Sequence, residues 1–161
     1  MFMVDISVDI LNRTMKNIGW WVGKFNEKGK ATESLETIIG RIRTSTDCGA
    51  APEVEFAIEA VFEKLDVKQE IFRKLDEVCQ AATRLVSNTL AIPITELASV
   101  TNQPEKVLGF HFFNPLPIME VVEVIKGIET PEEAMQAGVD FVCKNRMRYR
   151  NLIFETNRRD R

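Results

Sequence analysis

An α/β fold, with a mostly parallel sheet and helices packed against it, is the class this sequence predicts, and three observations carry the expectation. Twice, a short apolar run is followed by a helix-period stretch and then by a second short apolar run, which is the pattern of a strand, helix, strand unit. Near the N-terminus, two apolar helical stripes are joined across Glu27-Lys28-Gly29-Lys30, as in a helical hairpin. The chain has 161 residues, 45% of them hydrophobic and 28% charged, which suits one ordinary domain and excludes a disordered or fibrous protein.

The first element is very short. Residues 2–4 read as the tail of a buried strand that ends in Asp5. Ser7 can cap the helix that follows, because its hydroxyl accepts from an orphan amide of the first turn. Ile10, Thr14, Ile18, Trp21, Val22 and Phe25 recur at three- and four-residue steps and place one apolar stripe on that helix. A second helix is expected after Thr32, with the stripe Leu35, Ile38, Ile39 and Ile42. The Trp20-Trp21 pair reads as packing within this hairpin.

After the β-branched run at residues 43–47, residues 55–62 (EFAIEAVF) are mostly apolar and read as a buried parallel strand closed by Glu63. Asp66 is placed to cap a helix with the stripe Val67, Ile71, Leu75 and Val78, and Leu85-Val86 forms the next strand. Pro93 opens a helix over residues 94–100, and residues 107–112 form the strand after it. Thr130-Pro131-Glu132-Glu133 has the form of a capping box with proline at the first helical position, ahead of Ala134, Ala137, Phe141 and Val142. From Lys144 onward, arginine crowds the chain, and residues 145–161 read as a basic tail beyond a domain of residues 1–144.

Residues 84–126 hold the chemistry. His111 is the only histidine and ends an apolar run; Pro115 and Pro117 then turn the chain, and Glu123 follows on the next run. A histidine and a carboxylate on neighbouring strands are the minimal equipment of a general base with its orienting partner, and a core histidine with a satisfied ring is the structural alternative. The residues that close the strands, Asp5, Glu63, Ser87 with Asn88, and His111, are all polar. In open parallel sheets ligands bind at the carboxyl ends of the strands, so this clustering marks a crevice.

Several function classes are disfavoured. A net charge of −3 argues against nucleic acid as a partner, and the arginine-rich end lacks interleaved aromatics. Cys48, Cys79 and Cys143 are odd in number and widely spaced, without CxxC, so neither a zinc site nor a disulfide framework is read and a reducing compartment fits. Asp5 and Asp9 sit where a signal peptide is basic, and no apolar run is long enough to span a membrane. The expected location is cytoplasmic, or the mitochondrial matrix if a targeting segment has been removed.

The segments IEAVFEKLDVKQEIFRKLD, VSNT, PITELA and LGFHFFNPLPIMEVVEVIKG closely resemble the nucleotide-binding domain of the NAD-dependent L-3-hydroxyacyl-CoA dehydrogenases, over about residues 4–143. The resemblance implies a Rossmann-like sheet with a helical hairpin insertion, NAD as cofactor and an acyl-CoA as substrate. It further implies His111 as the general base and Glu123 as its partner, with Asp5, Glu63, Lys68, Asn88 and Asn114 at cofactor-contacting positions and Lys28 near the CoA phosphates.

This sequence departs from the family at three places. None of its eight glycines forms the GxGxxG turn that opens the family's first strand and helix, so the strand at residues 55–62 is expected to have an open apolar edge that invites a homo-oligomer. Leu90 stands where the family's SNTS segment ends in serine. The family's C-terminal helical domain is lacking, with Phe154-Glu155-Thr156-Asn157-Arg158 resembling its GFxxNR only in part. Two functions are therefore implied: a dehydrogenase working through His111 and Glu123, or a catalytically incompetent truncated homologue that binds a nucleotide or CoA ester or oligomerises.

Overall fold

Two sheets carry the chain, a two-stranded parallel sheet within residues 1–51 and a five-stranded, mostly parallel sheet within residues 52–161. The computed structural model describes residues 1–30, 33–50, 53–115, 118–145 and 147–152.

In the first unit, β1 (Phe2–Val4) pairs in parallel with β2 (Arg43–Ser45). β1 is half-buried to exposed rather than sealed in a core, because β2 is its only partner within this sheet. Helix α1 (Val8–Glu27) begins at Ser7, whose hydroxyl accepts from the Ile10 amide at 3.4 Å. Its buried residue is Leu11, one position on from the expected Ile10, which is 38% exposed. The chain leaves α1 through Gly29 at φ 64, a left-handed conformation open to glycine because it lacks Cβ. Helix α2 (Leu35–Gly40) is capped by Ser34 and packs on α1, forming the expected hairpin. Trp21 turns toward Phe25, with ring centroids 6.2 Å apart, whereas Trp20 meets Trp21 edge-on and stays 57% exposed.

The five-stranded sheet runs β3 (Phe56–Glu59), β4 (Arg84–Ser87), β5 (Val107–Phe112), β6 (Val121–Lys126) and β7 (Arg148–Leu152), in that spatial order. All neighbours are parallel except β5 and β6. Helix α3 (Leu65–Val78) links β3 to β4, α4 (Ile94–Ala98) links β4 to β5, and α5 (Glu132–Lys144) links β6 to β7. Alternation along the strands feeds two cores. Val86, Leu108, Phe110, Val122 and Val124 meet Ala134, Met135, Val139 and Val142 of α5 on one face. Leu85 and Val107 meet Phe72 of α3 and Ile94, Leu97 and Ala98 of α4 on the other. Burial on both faces explains why the central strands read as unbroken apolar runs.

Two glycines permit the close approach. A Cβ on Gly109 would lie 2.7 Å from Ile94 Cδ1 and 3.0 Å from Ile125 Cβ, and one on Gly138 would lie 3.2 Å from the Phe110 ring. Helix α4 therefore sits against the bare backbone of β5 at Gly109, and α5 turns its own bare backbone to the Phe110 ring at Gly138.

Several expected boundaries move. β3 ends at Glu59, not beyond Phe62, which is 81% exposed; the carboxylate of Glu59 takes up the Val61 amide and turns the chain out of the sheet. α3 starts from Lys64 without a side-chain cap, and Asp66 lies inside its first turn. The deeply buried residues of α3 are Lys68 and Phe72, one position on from the expected stripe, because Lys68 has a carboxylate waiting beneath it. Thr130 does not cap α5: its hydroxyl donates to the Val107 carbonyl at 2.7 Å and accepts from the Gly127 amide at 2.9 Å. Of the stretch expected as a basic tail, Arg148–Leu152 is the edge strand β7, and Asn157 lies outside the described residues. Among the described residues no helix is long and apolar enough to cross a membrane.

Candidate active site

β5 and β6 set His111 and Glu123 directly opposite each other in the antiparallel register. Cross-strand partners of this kind hold their Cβ atoms about 5 Å apart, so the pair is placed by the ladder rather than by a loop. His111 Nδ1 lies 2.9 Å from Glu123 Oε2, and both side chains are largely shielded, 19% and 11% exposed. An ionised carboxylate only accepts, so Nδ1 carries the hydrogen and Nε2 of the neutral ring is left as an acceptor. The Phe113 ring packs on the imidazole with centroids 4.7 Å apart. Phe110 and Phe112 point to the opposite face, where Phe110 stacks with Phe141 of α5. Asn114 follows in an exposed turn, joined to Pro115 by a cis peptide.

A second polar cluster occupies the carboxyl ends of β3 and β4. Glu59 ends β3 with its side chain fully buried, and Lys68, also fully buried, donates to its two oxygens at 2.8 and 3.0 Å. Ser87 donates to the same carboxylate at 2.7 Å. Lys68 Nζ also donates to the Asn88 carbonyl at 3.3 Å and lies 3.4 Å from Glu63 Oε2. Glu63 Oε1 accepts from the Thr89 hydroxyl and from the amides of Leu90 and Ala91, both at 3.2 Å. Burial alone would raise the Glu63 carboxyl, but the Thr89 hydroxyl, the two amides and the Lys68 ammonium outweigh it and hold the group below its ordinary range. Lys68 is thus an internal strut, Glu63 is exposed, and Asn88 is half-buried at the mouth of β4. Leu90 projects into solvent, 73% exposed.

In the first unit, Asp5 follows β1 and turns one oxygen back to the Ser7 amide at 3.0 Å, and Lys28 is exposed at the end of α1. Sequence reasoning missed two residues. In the sequence Glu59 is one residue of an apolar run, and nothing there signals its burial because its partner Lys68 lies nine residues on, on a helix. Arg150 falls in the stretch expected as a basic tail, yet β7 brings it into register beside Glu123. Every buried side-chain nitrogen and oxygen among the described residues has a hydrogen-bond partner.

A mostly parallel sheet flanked by helices, with polar strand ends gathered on its carboxyl side, defines a dinucleotide-binding α/β domain. Residues 1–148 match the family described as 3-hydroxyacyl-CoA dehydrogenase, NAD binding domain, and the chain belongs to that family. It is 41% identical over 132 residues to a probable 3-hydroxybutyryl-CoA dehydrogenase of Bacillus subtilis, covering 81% of this chain and 46% of that protein. It is 37% identical over 146 residues to the mitochondrial hydroxyacyl-coenzyme A dehydrogenase of Sus scrofa, covering 86% of this chain and 46% of that one. The crystal structure of 3-hydroxybutyryl-CoA dehydrogenase from Escherichia coli K12 superposes with a TM-score of 0.89 at 34% identity, over 93% of this chain and 32% of that one. The chain therefore spans about half the length of the curated relatives it matches.

Proposed function

We propose that this chain is the NAD-binding part of an L-3-hydroxyacyl-CoA dehydrogenase in which His111 is the general base. The observation that carries the reading is the His111–Glu123 pair, with Nδ1 spoken for at 2.9 Å and Nε2 left to meet a substrate proton. Nε2 takes the proton of the substrate 3-hydroxyl, and Glu123 holds the ring in that tautomer and stabilises the imidazolium that forms. When bound, NAD would supply the hydride acceptor for the carbon that bears this hydroxyl, so that loss of proton and hydride would give the 3-oxoacyl-CoA. Phe113 shields one face of the imidazole from water.

The donor set at the strand ends suits the cofactor's hydroxyls and carboxamide. The exposed Glu63 carboxylate and the half-buried Asn88 would hold it, with Asn114 proposed beside them and Lys68 acting through Glu63 and the Asn88 carbonyl; Asp5, in the first unit, is proposed by itself for the ribose hydroxyls. Lys28 is the residue proposed for the CoA phosphates. Homo-oligomerisation is proposed through β3, an edge strand of the five-stranded sheet whose Ile58 is 40% exposed. Light scattering that returns the mass of one chain would exclude it.

One observation favours a second reading. Leu90 offers an exposed apolar side chain beside Asn88, where a hydroxyl would serve a substrate carbonyl, and this suits a nucleotide- or CoA-binding module without turnover. NADH consumption with acetoacetyl-CoA separates the two. Turnover supports the dehydrogenase; a rise in melting temperature with NAD, without turnover at high protein concentration, supports the module.

A further inference from the structure

The carboxylate of Glu59 is sealed from solvent, and a charge in such a place persists only when paired and hydrogen-bonded. Three donors converge on it from three segments: Lys68 from α3 at 2.8 and 3.0 Å, the Ser87 hydroxyl from β4 at 2.7 Å, and the Val61 amide from the loop after β3 at 2.5 Å. The backbone carbonyl of Glu59 takes a fourth, the Asn88 amide, at 2.7 Å. Beyond Lys68 the chain of contacts runs outward, to the Asn88 carbonyl and to Glu63 Oε2, while Glu63 Oε1 holds Thr89, Leu90 and Ala91.

We propose that Glu59 is a positioning residue, whose buried carboxylate fixes the Lys68 ammonium and thereby holds Glu63 and the turn at residues 88–91 in one arrangement. The proposal rests on the reading of Glu63 and Asn88 as cofactor contacts. Lys68 has two carboxylates within reach, one buried and one 42% exposed. With the buried one neutralised, the ammonium draws the exposed one inward, away from Thr89 and the two amides. The consequence falls on the turn, not on the sheet. Aliphatic filling of the same space would keep the strands together but would leave Glu63 with no fixed cation behind it.

Glu59→Gln keeps the volume, and its amide oxygen can still accept from the Val61 amide while its NH2 faces the Ser87 hydroxyl oxygen, but it carries no charge for Lys68. The double variant Glu59→Gln/Lys68→Met removes both charges; replacing a whole buried pair is tolerated far better than breaking one, so it decides the matter if the single variant does not fold. The first readout is the backbone order parameter without cofactor. In the wild type, Leu90, Ala91, Leu108 and Val124 should all lie near the rigid value of about 0.85, and in either variant Leu90 and Ala91 should fall below about 0.6 while Leu108 and Val124 stay put. The second is the NADH dissociation constant, expected to rise by at least about tenfold, since binding must then order the turn. Unchanged order parameters at Leu90 and Ala91, or an equal fall at Leu108 and Val124, overturn the proposal. If the wild-type chain does not bind NADH, the cofactor reading fails, and the order parameters alone decide the role of Glu59.

Discussion

His111 Nδ1 lies 2.9 Å from Glu123 Oε2, and the two residues face each other as direct partners of the β5–β6 register. The backbone ladder therefore fixes the approach of carboxylate to imidazole, and Glu123→Gln should preserve the position while removing the charge. The glutamine oxygen still accepts from Nδ1, but the imidazolium formed during proton transfer has no counter-charge. In the proposed reaction, kcat should fall on the order of 10²-fold, with the KM for NADH little changed. Steady-state kinetics at saturating acyl-CoA check this; an equal rise in the KM for NADH would mean that Glu123 serves binding instead.

Glu63 gives stability a pH dependence. Its carboxyl sits below the ordinary value of 4.5 in the folded protein, so the folded state favours the ionised form more than the unfolded chain does. That contribution is complete above the ordinary value and is lost as pH falls through the lower folded one. Because the side chain is 42% exposed, the effect should be modest, below about 1 kcal/mol. Glu63→Gln should lower the melting temperature at pH 7, and the gap to the wild type should close below about pH 4. A gap that stays constant down to pH 3 would contradict the assignment.

Gly109 is where α4 meets the sheet. Gly109→Ala would drive a methyl group into Ile94 Cδ1 at 2.7 Å and Ile125 Cβ at 3.0 Å. Ile94 can move its tip, whereas Cβ of Ile125 is fixed to the backbone of β6. Destabilisation of about 1–3 kcal/mol is expected, as for other overpacked cores, and chemical denaturation measures it. A neutral result would show that the two isoleucines repack freely.

Leu90 tests the resemblance to the SNTS segment. Its side chain is 73% exposed and its amide alone is engaged, by Glu63. Leu90→Ser therefore removes no core contact and adds a hydroxyl donor beside Asn88. If the proposed chemistry holds, kcat/KM should rise on the order of 10²-fold, with stability unchanged within about 0.5 kcal/mol. No gain in rate would mean that the substrate carbonyl is served by another donor.

The sequence was most informative where the chain is regular. Apolar runs bounded by Asn, Pro and Gly located β5 within its observed limits, and the His111–Glu123 pairing was legible because the two residues lie on successive apolar runs joined by a proline-bearing loop. The hairpin of α1 and α2 was legible from its stripes and from Gly29. The ends of elements were harder. Glu59 lies inside EFAIEAVF, where pattern alone reads it as a strand interior; only the helix that delivers Lys68 shows that it closes the strand. Thr130 matched a capping pattern, but the free carbonyl of Val107 competes for its hydroxyl and wins. Arginine crowding suggested a tail at β7, because an edge strand leaves Arg148 and Arg150 exposed and so lacks the apolar pattern of the central strands.

The claim that His111 is the base can be tested on the proton transfer itself, apart from cofactor binding. Single-turnover oxidation of NADH by acetoacetyl-CoA should be compared between the wild type and His111→Ala, with NADH affinity measured on both. In His111→Ala the rate should fall by about 10²- to 10⁴-fold, with NADH affinity unchanged. Equal rates in the two proteins, or no turnover by the wild type with NADH bound, would contradict it.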